Sequence, residues 1–170
     1  MLAAPPAEIE EWLQRRRGLG QDRYDEIWNG EYHVAPSPHF AHGDVGGQLF
    51  VMLGPPARRA GLFATTSFNL GGRDDYRVPD AGYVRERHAT VYVPTAAVVV
   101  EVISPDDETW AKFDFYFAHG VEELLIVDPR LRTVQWFSRC EDGFESRAAS
   151  KLLDLSADQL DADLDWPPAD

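Results

Sequence analysis

Ala96-Ala97-Val98-Val99-Val100-Glu101-Val102-Ile103-Ser104-Pro105 decides the fold. Ala96 to Ile103 is a nearly unbroken, β-branched run. Such a run without polar alternation marks a strand buried on both faces, at the centre of a sheet. Glu101 interrupts it. An unpaired carboxylate in an apolar strand is costly, so it calls for a partner, a proton or a metal. A strand-end glutamate that reaches water or a structural Arg is the plainer alternative. Ser104, Pro105 and Asp107 then read as N-cap, first helical residue and capping-box acid of a helix that runs to about His119 and stops at Gly120.

Working outward, Val78 to Val84 reads as a strand entered through Pro79, Phe63 to Leu70 as another, and Gly71 to Asp75 as an exposed loop. Residues 41–53 place Val45, Leu49, Met52 and Leu53 on one helical face, with Pro55-Pro56 as the stop. Residues 24–35 alternate around Asn29-Gly30, a two-residue hairpin signal, and Pro36 and Pro38 break the pattern. Residues 7–17 put Ile9, Trp12 and Leu13 on one helical face, ended by Gly18 and Gly20. Residues 1–6 read as a leader. Downstream, Glu123 to Val127 is a strand closed by Asp128-Pro129, and Thr133 to Ser138 and Gly143 to Ala148 are antiparallel strands. The Asp-rich tail over 150–170 reads as an edge strand and a loose end. This order implies one α+β domain across the 170 residues, a mixed sheet with helices packed on it.

Asp80 supplies a second carboxylate, 21 positions before Glu101. That separation allows a strand, a loop and a return strand alongside. Two carboxylates meeting on neighbouring strands make an oxygen-rich site suited to Mg²⁺ or Mn²⁺. Lys112 joins them by geometry. Glu101 lies roughly 10 Å back from the turn at Ser104 along a strand. Lys112 lies roughly 12 Å forward along a helix. A helix doubling back along its own strand brings the two level. Tyr116, one turn later, shares the face of Lys112. Trp110, Phe113 and Phe117 read as core.

Composition narrows the functions. The formal charge is −13, which excludes a general polyanion binder, because nonspecific nucleic-acid affinity rests on many Lys/Arg–phosphate contacts. A local basic patch is still compatible with it, and Arg73, Arg77, Arg85 and Arg87 cluster in sequence around Asp80 as candidate phosphate-binding residues for DNA. The single cysteine, Cys140, excludes an intrachain disulfide and a multi-cysteine zinc site. Only two of the 16 basic residues are lysines, Lys112 and Lys151. No run approaches the ~20 apolar residues of a membrane helix, so a cytoplasmic protein with no membrane association is expected.

At this point the chain resembles a family. Val78-Pro79-Asp80, Val99-Val100-Glu101-Val102-Ile103-Ser104-Pro105, Lys112, Tyr116, Gly120-Val121-Glu122-Glu123 and Ile126-Val127-Asp128-Pro129 closely follow the Uma-two restriction endonuclease family, a branch of the PD-(D/E)xK nuclease superfamily. Tyr24 to Glu31 is similar to its hairpin, and Pro36-Ser37-Pro38 with His42 to its proline-rich turn and helix-start histidine. The resemblance covers residues 24 to about 138. It implies a restriction-endonuclease-like mixed β-sheet core flanked by helices, with Asp80 and Glu101 as Mg²⁺ or Mn²⁺ ligands and catalysis by Asp80, Glu101 and Lys112. The superfamily's usual lysine position is occupied here by Ile103, and Lys112 matches a relocated lysine. Glu26 is read as a supporting carboxylate, in competition with Asp25 and with a plain hairpin-surface role. His42 is read as a contact to a phosphate or carboxylate, and Tyr116 as a residue that holds Lys112 or packs. The activity expected is DNA hydrolysis by a homodimer, one copy per strand. The alternative is a nonenzymatic regulatory or protein-binding module, since fold does not imply function.

Overall fold

A computed structural model describes residues 7–35, 37–105 and 108–168. In chain order its elements are α1 (Ala7–Gly18), β1 (Glu26–Trp28), β2 (Glu31–His33), α2 (Phe40–Arg59), β3 (Phe63–Thr66), β4 (Asn69–Gly72), β5 (Asp75–Arg77), β6 (Ala81–Val84) and β7 (Tyr92–Val93). β8 (Val98–Val102), a 3₁₀ turn (Thr109–Lys112), α3 (Phe113–Ala118), β9 (Glu123–Asp128), β10 (Thr133–Arg139), β11 (Phe144–Arg147), β12 (Ala149–Ser150), β13 (Leu155–Ser156) and α4 (Ala157–Asp163) follow.

The main sheet has the order β11-β10-β9-β8-β6-β3. β8 is central, antiparallel to β6 and parallel to β9, and every residue of β8 and β9 is buried. Strand alternation divides the core into two layers. Val98, Val100 and Val102 pack with Val45, Leu49 and Leu53 of α2 and Leu160 of α4. Val99 packs on the other side with Phe115 and Tyr116 of α3 and with Leu70 of β4. β4 belongs to a second sheet, β2-β1-β5-β4-β7. Asn29 and Gly30 both take positive φ, 50° and 87°, as a tight turn matching strand twist requires.

Several expectations change. Pro55 and Pro56 lie inside α2, which continues to Arg59. Their fixed φ suits a helix, and burial of Pro56 and Ala57 offsets the lost backbone hydrogen bonds. The run 63–70 splits between β3 in the main sheet and β4 in the second, and Val78–Asp80 likewise precedes β6 instead of opening it. An apolar run carries no record of a change of sheet. The capping-box reading used Asp107, which lies outside the described residues together with 1–6, Pro36 and Asp106. Helical backbone among the described residues begins only at Thr109. Trp110 is 50% exposed, and Phe115 and Tyr116 are the buried aromatics of α3. The tail holds α4 with a complete Ser156–Gln159 capping box, and Leu160 and Leu164 are buried. α1 buries nothing. Among the described residues no helix is long and apolar enough to cross a membrane.

Candidate active site

Antiparallel pairing of β6 and β8 sets Ala81 opposite Val100. One step further, Asp80 stands beside Glu101, and Asp80 Oδ2 accepts a hydrogen bond from the Val102 N–H at 2.8 Å. Glu101 points to the Val99 side, toward α3, and is 3% exposed. The Tyr116 hydroxyl donates to Glu101 Oε1. The Lys112 ammonium lies 3.3 Å from the same oxygen and 3.0 Å from Glu26 Oε1. Lys112 therefore reaches Glu101 as expected, but from a 3₁₀ turn.

Glu26 is delivered by the second sheet. Its Oε1 also accepts from the Val78 N–H at 2.7 Å, and its Oε2 from Trp28 Nε1 at 2.6 Å. Both Glu26 oxygens accept hydrogen bonds, and through Oε1 Glu26 positions Lys112. Trp28 was not singled out from the sequence, although it shares a strand face with Glu26 two residues earlier, a legible signal. Asp25, the rival, bonds Arg16, Tyr32 and the Ala35 N–H and holds α1 to the hairpin. His42 Nε2 sits 2.9 Å from Asp80 Oδ1, and its Nδ1 sits 2.8 Å from Ser104 Oγ. A carboxylate only accepts, so the Nε2 proton faces Asp80. Ser104, read as a helix cap, thus also orients the histidine.

These groups line one cavity of about 830 Å³ with Glu26, His42, Asp80, Glu101, Ser104 and Lys112 in its wall. Burial, then the Asp80 and Glu26 charges, push the Glu101 carboxyl up to about 8, against the pull of Lys112 and the Tyr116 hydrogen bond. Burial lowers the Lys112 ammonium, but Glu101 and Glu26 outweigh it and raise it above the ordinary lysine value. Burial and the same carboxylates raise Tyr116, so it acts as a hydrogen-bond donor.

Even with Glu101 holding its proton, the Asp80 and Glu26 carboxylates stand against the one Lys112 ammonium, which leaves the site short of positive charge. That deficit and the hard oxygen donors of Asp80 and Glu101 fit Mg²⁺ or Mn²⁺, which take one or two protein carboxylates and complete their shells with water and phosphate. Among the described residues no group of three or more His, Cys, Asp or Glu side chains is placed to hold a metal ion, so any ion here would rest on Asp80 and Glu101 alone.

The arginine patch is not assembled here. Arg77 is buried. It bonds the Ile27 carbonyl and Asp75 at 2.9 Å, between the rings of Trp28 and Phe115, and fastens β5 to the hairpin that carries Glu26. Arg85 pairs with Glu122 beyond the far end of β6, roughly 16 Å along the strand from Asp80. Arg87 lies over Phe63, and Arg73 is on the exposed β4–β5 turn. Sequence proximity failed because alternate strand residues face opposite ways and β5 and β6 lie in different sheets.

Fold and site place the chain among α+β proteins with a restriction-endonuclease-like core. Residues 7–163 match Uma2, described as "Putative restriction endonuclease", and the chain belongs to this family. In structure it is similar to a protein from Anabaena variabilis ATCC 29413, described as a putative nuclease belonging to DUF820. The TM-score is 0.66 at 15% identity, over 81% of this chain and 89% of that one. None of the curated proteins matches.

Proposed function

We propose that this chain is a nuclease, dependent on Mg²⁺ or Mn²⁺, that hydrolyses phosphodiester bonds in DNA. The observation that carries the reading is Lys112, held between Glu26 and Glu101 in the cavity that also contains Asp80. Asp80 and Glu101 would hold the ion. When bound, it polarises the phosphodiester and stabilises the leaving oxygen. Lys112 orients a water and offsets the charge that develops on the phosphate. Glu26 and Tyr116 keep the ammonium and the Glu101 carboxylate in register, and His42 keeps Asp80 turned to the site.

The test is cleavage of labelled single-stranded and duplex DNA with Mg²⁺ or Mn²⁺, comparing wild type with Asp80→Asn. Metal-dependent cleavage lost in the variant supports the reading. No cleavage by folded wild type overturns it in favour of a nonenzymatic module. A homodimer would place one site on each strand of a duplex, and light scattering that gives only a 19 kDa species removes that assembly.

A further inference from the structure

A second concavity, about 1250 Å³, lies against the main sheet's edge strand, β3. Its walls are the last turns of α2, β3 itself and the segment from Val84 to Val93. Arg58, Arg59, Arg87 and His88 line it, and no Asp or Glu does. In a chain with 29 acidic residues that bias is informative. Among the described residues Arg58, Arg59 and Arg87 are in no ion pair. The same holds for Arg15, Arg23, Arg73, Arg130, Arg132 and Arg139, so it is the grouping of the three in one concavity without a carboxylate that sets them apart. Cations in the last turn of α2 would be accounted for by the helix dipole alone. Arg87 and His88 come from a separate segment and have no such explanation.

The groove adjoins the candidate active site. Phe50 lines both concavities, and β3 supplies Phe63 to Thr65 to the groove and Thr66 to the cavity. The floor is apolar: Phe50, Pro55, Leu62, Phe63 and Phe68. Phe63 is 39% exposed, and the Arg87 guanidinium lies 4.7 Å from its ring centroid. A duplex would present only phosphates and stacked edges to such a floor. A single strand presents phosphates to cations and bases to aromatic and apolar side chains, the pairing that such sites use.

We propose that this groove binds a single-stranded stretch of nucleic acid and leads it into the carboxylate–lysine cavity. The identity of the partner rests on the nuclease reading, while the groove itself rests on its own lining and charge. The basic surface expected around Asp80 is thus supplied from α2 and the 85–88 loop. One copy of the chain suffices for such a substrate.

Anisotropy of a fluorescein-labelled 20-nucleotide single strand, measured in EDTA, separates binding from cleavage. Wild type should bind it more tightly than the matching duplex. Arg58→Gln/Arg59→Gln/Arg87→Gln should bind at least tenfold more weakly at low salt. The slope of log affinity against log salt should fall by about two, because each single-strand phosphate contact contributes about 0.7. The triple lysine variant should keep most of the affinity. Arg130→Gln/Arg147→Gln, at positions outside the groove, should match wild type. All three positions in the groove are exposed, so the variants should melt as wild type does.

Unchanged binding by the triple glutamine variant, tighter binding of the duplex, or no binding by wild type overturns the groove assignment, whatever the cleavage assay gives. Salt-sensitive binding lost in the triple variant, with no cleavage by wild type, keeps the groove and removes the nuclease reading.

Discussion

Lys112→Met removes one charge while keeping most of the side chain's apolar stem. It leaves the Glu26 and Glu101 carboxyls facing each other without the ammonium that now lies 3.0 and 3.3 Å away. Breaking a buried ion pair by deleting one partner costs about 3–5 kcal/mol. The cost depends on pH, because Glu101 takes a proton up to about 8. At pH 9 both carboxyls are charged, so the loss should be about 3 kcal/mol or more. In a chain of this size each kcal/mol lowers Tm by about 2–4 °C, which gives a drop of about 6–12 °C. At pH 5.5 Glu101 holds its proton in both proteins, and the drop should be about half. Melting curves at the two pH values, with cleavage measured per folded molecule, test both roles together. Cleavage should fall by about 10²–10³, the usual cost of removing one preorganised electrostatic group. Lys112→Arg should not restore it, because a planar guanidinium does not reproduce a compact ammonium. Equal Tm losses at both pH values would refute the electrostatic account. Unchanged cleavage per folded molecule would refute the catalytic one.

Glu101→Gln tests the raised carboxyl separately. The native state holds a proton that the unfolded chain releases at ordinary glutamate pH, so wild-type stability should fall as pH rises toward about 8. The variant should lose that slope. Below pH 8, Mn²⁺ binding to wild type should release a proton, seen as a buffer-dependent calorimetric heat, and the variant should show none. Gly71→Ala should destabilise the fold without touching the site. Its φ is +121°, and a Cβ there would lie 2.6 Å from the Asp75 carbonyl oxygen and 2.8 Å from the Phe115 ring. Urea denaturation should show a loss of more than about 1 kcal/mol.

The central strand, the hairpin and the carboxylate pair were legible in the order of residues alone. The Val98–Val102 run is apolar on both faces but for Glu101, the pattern of a central strand. Asn29-Gly30 admits few other turns. Asp80 and Glu101 were legible as a pair because their separation allows a return strand alongside, and β6 and β8 do pair, although β7 of the second sheet intervenes in the chain. Lys112 was reached from element rise alone, although the element proved to be a short turn. Tertiary structure decided the rest. Glu26 became the second partner of Lys112 only because the second sheet folds its hairpin against the main one, a contact across 86 positions. Arg77 looked like a phosphate contact, yet it is the buried clamp that holds that hairpin. The two prolines did not end α2, since packing beyond them outweighed their local penalty. Cations distant in sequence, Arg58 and Arg87, came to share a groove because α2 packs beside the edge strand. Periodicity and spacing report what a segment does with its own neighbours. Which sheet it joins, and what then faces it, depends on burial summed over the whole chain.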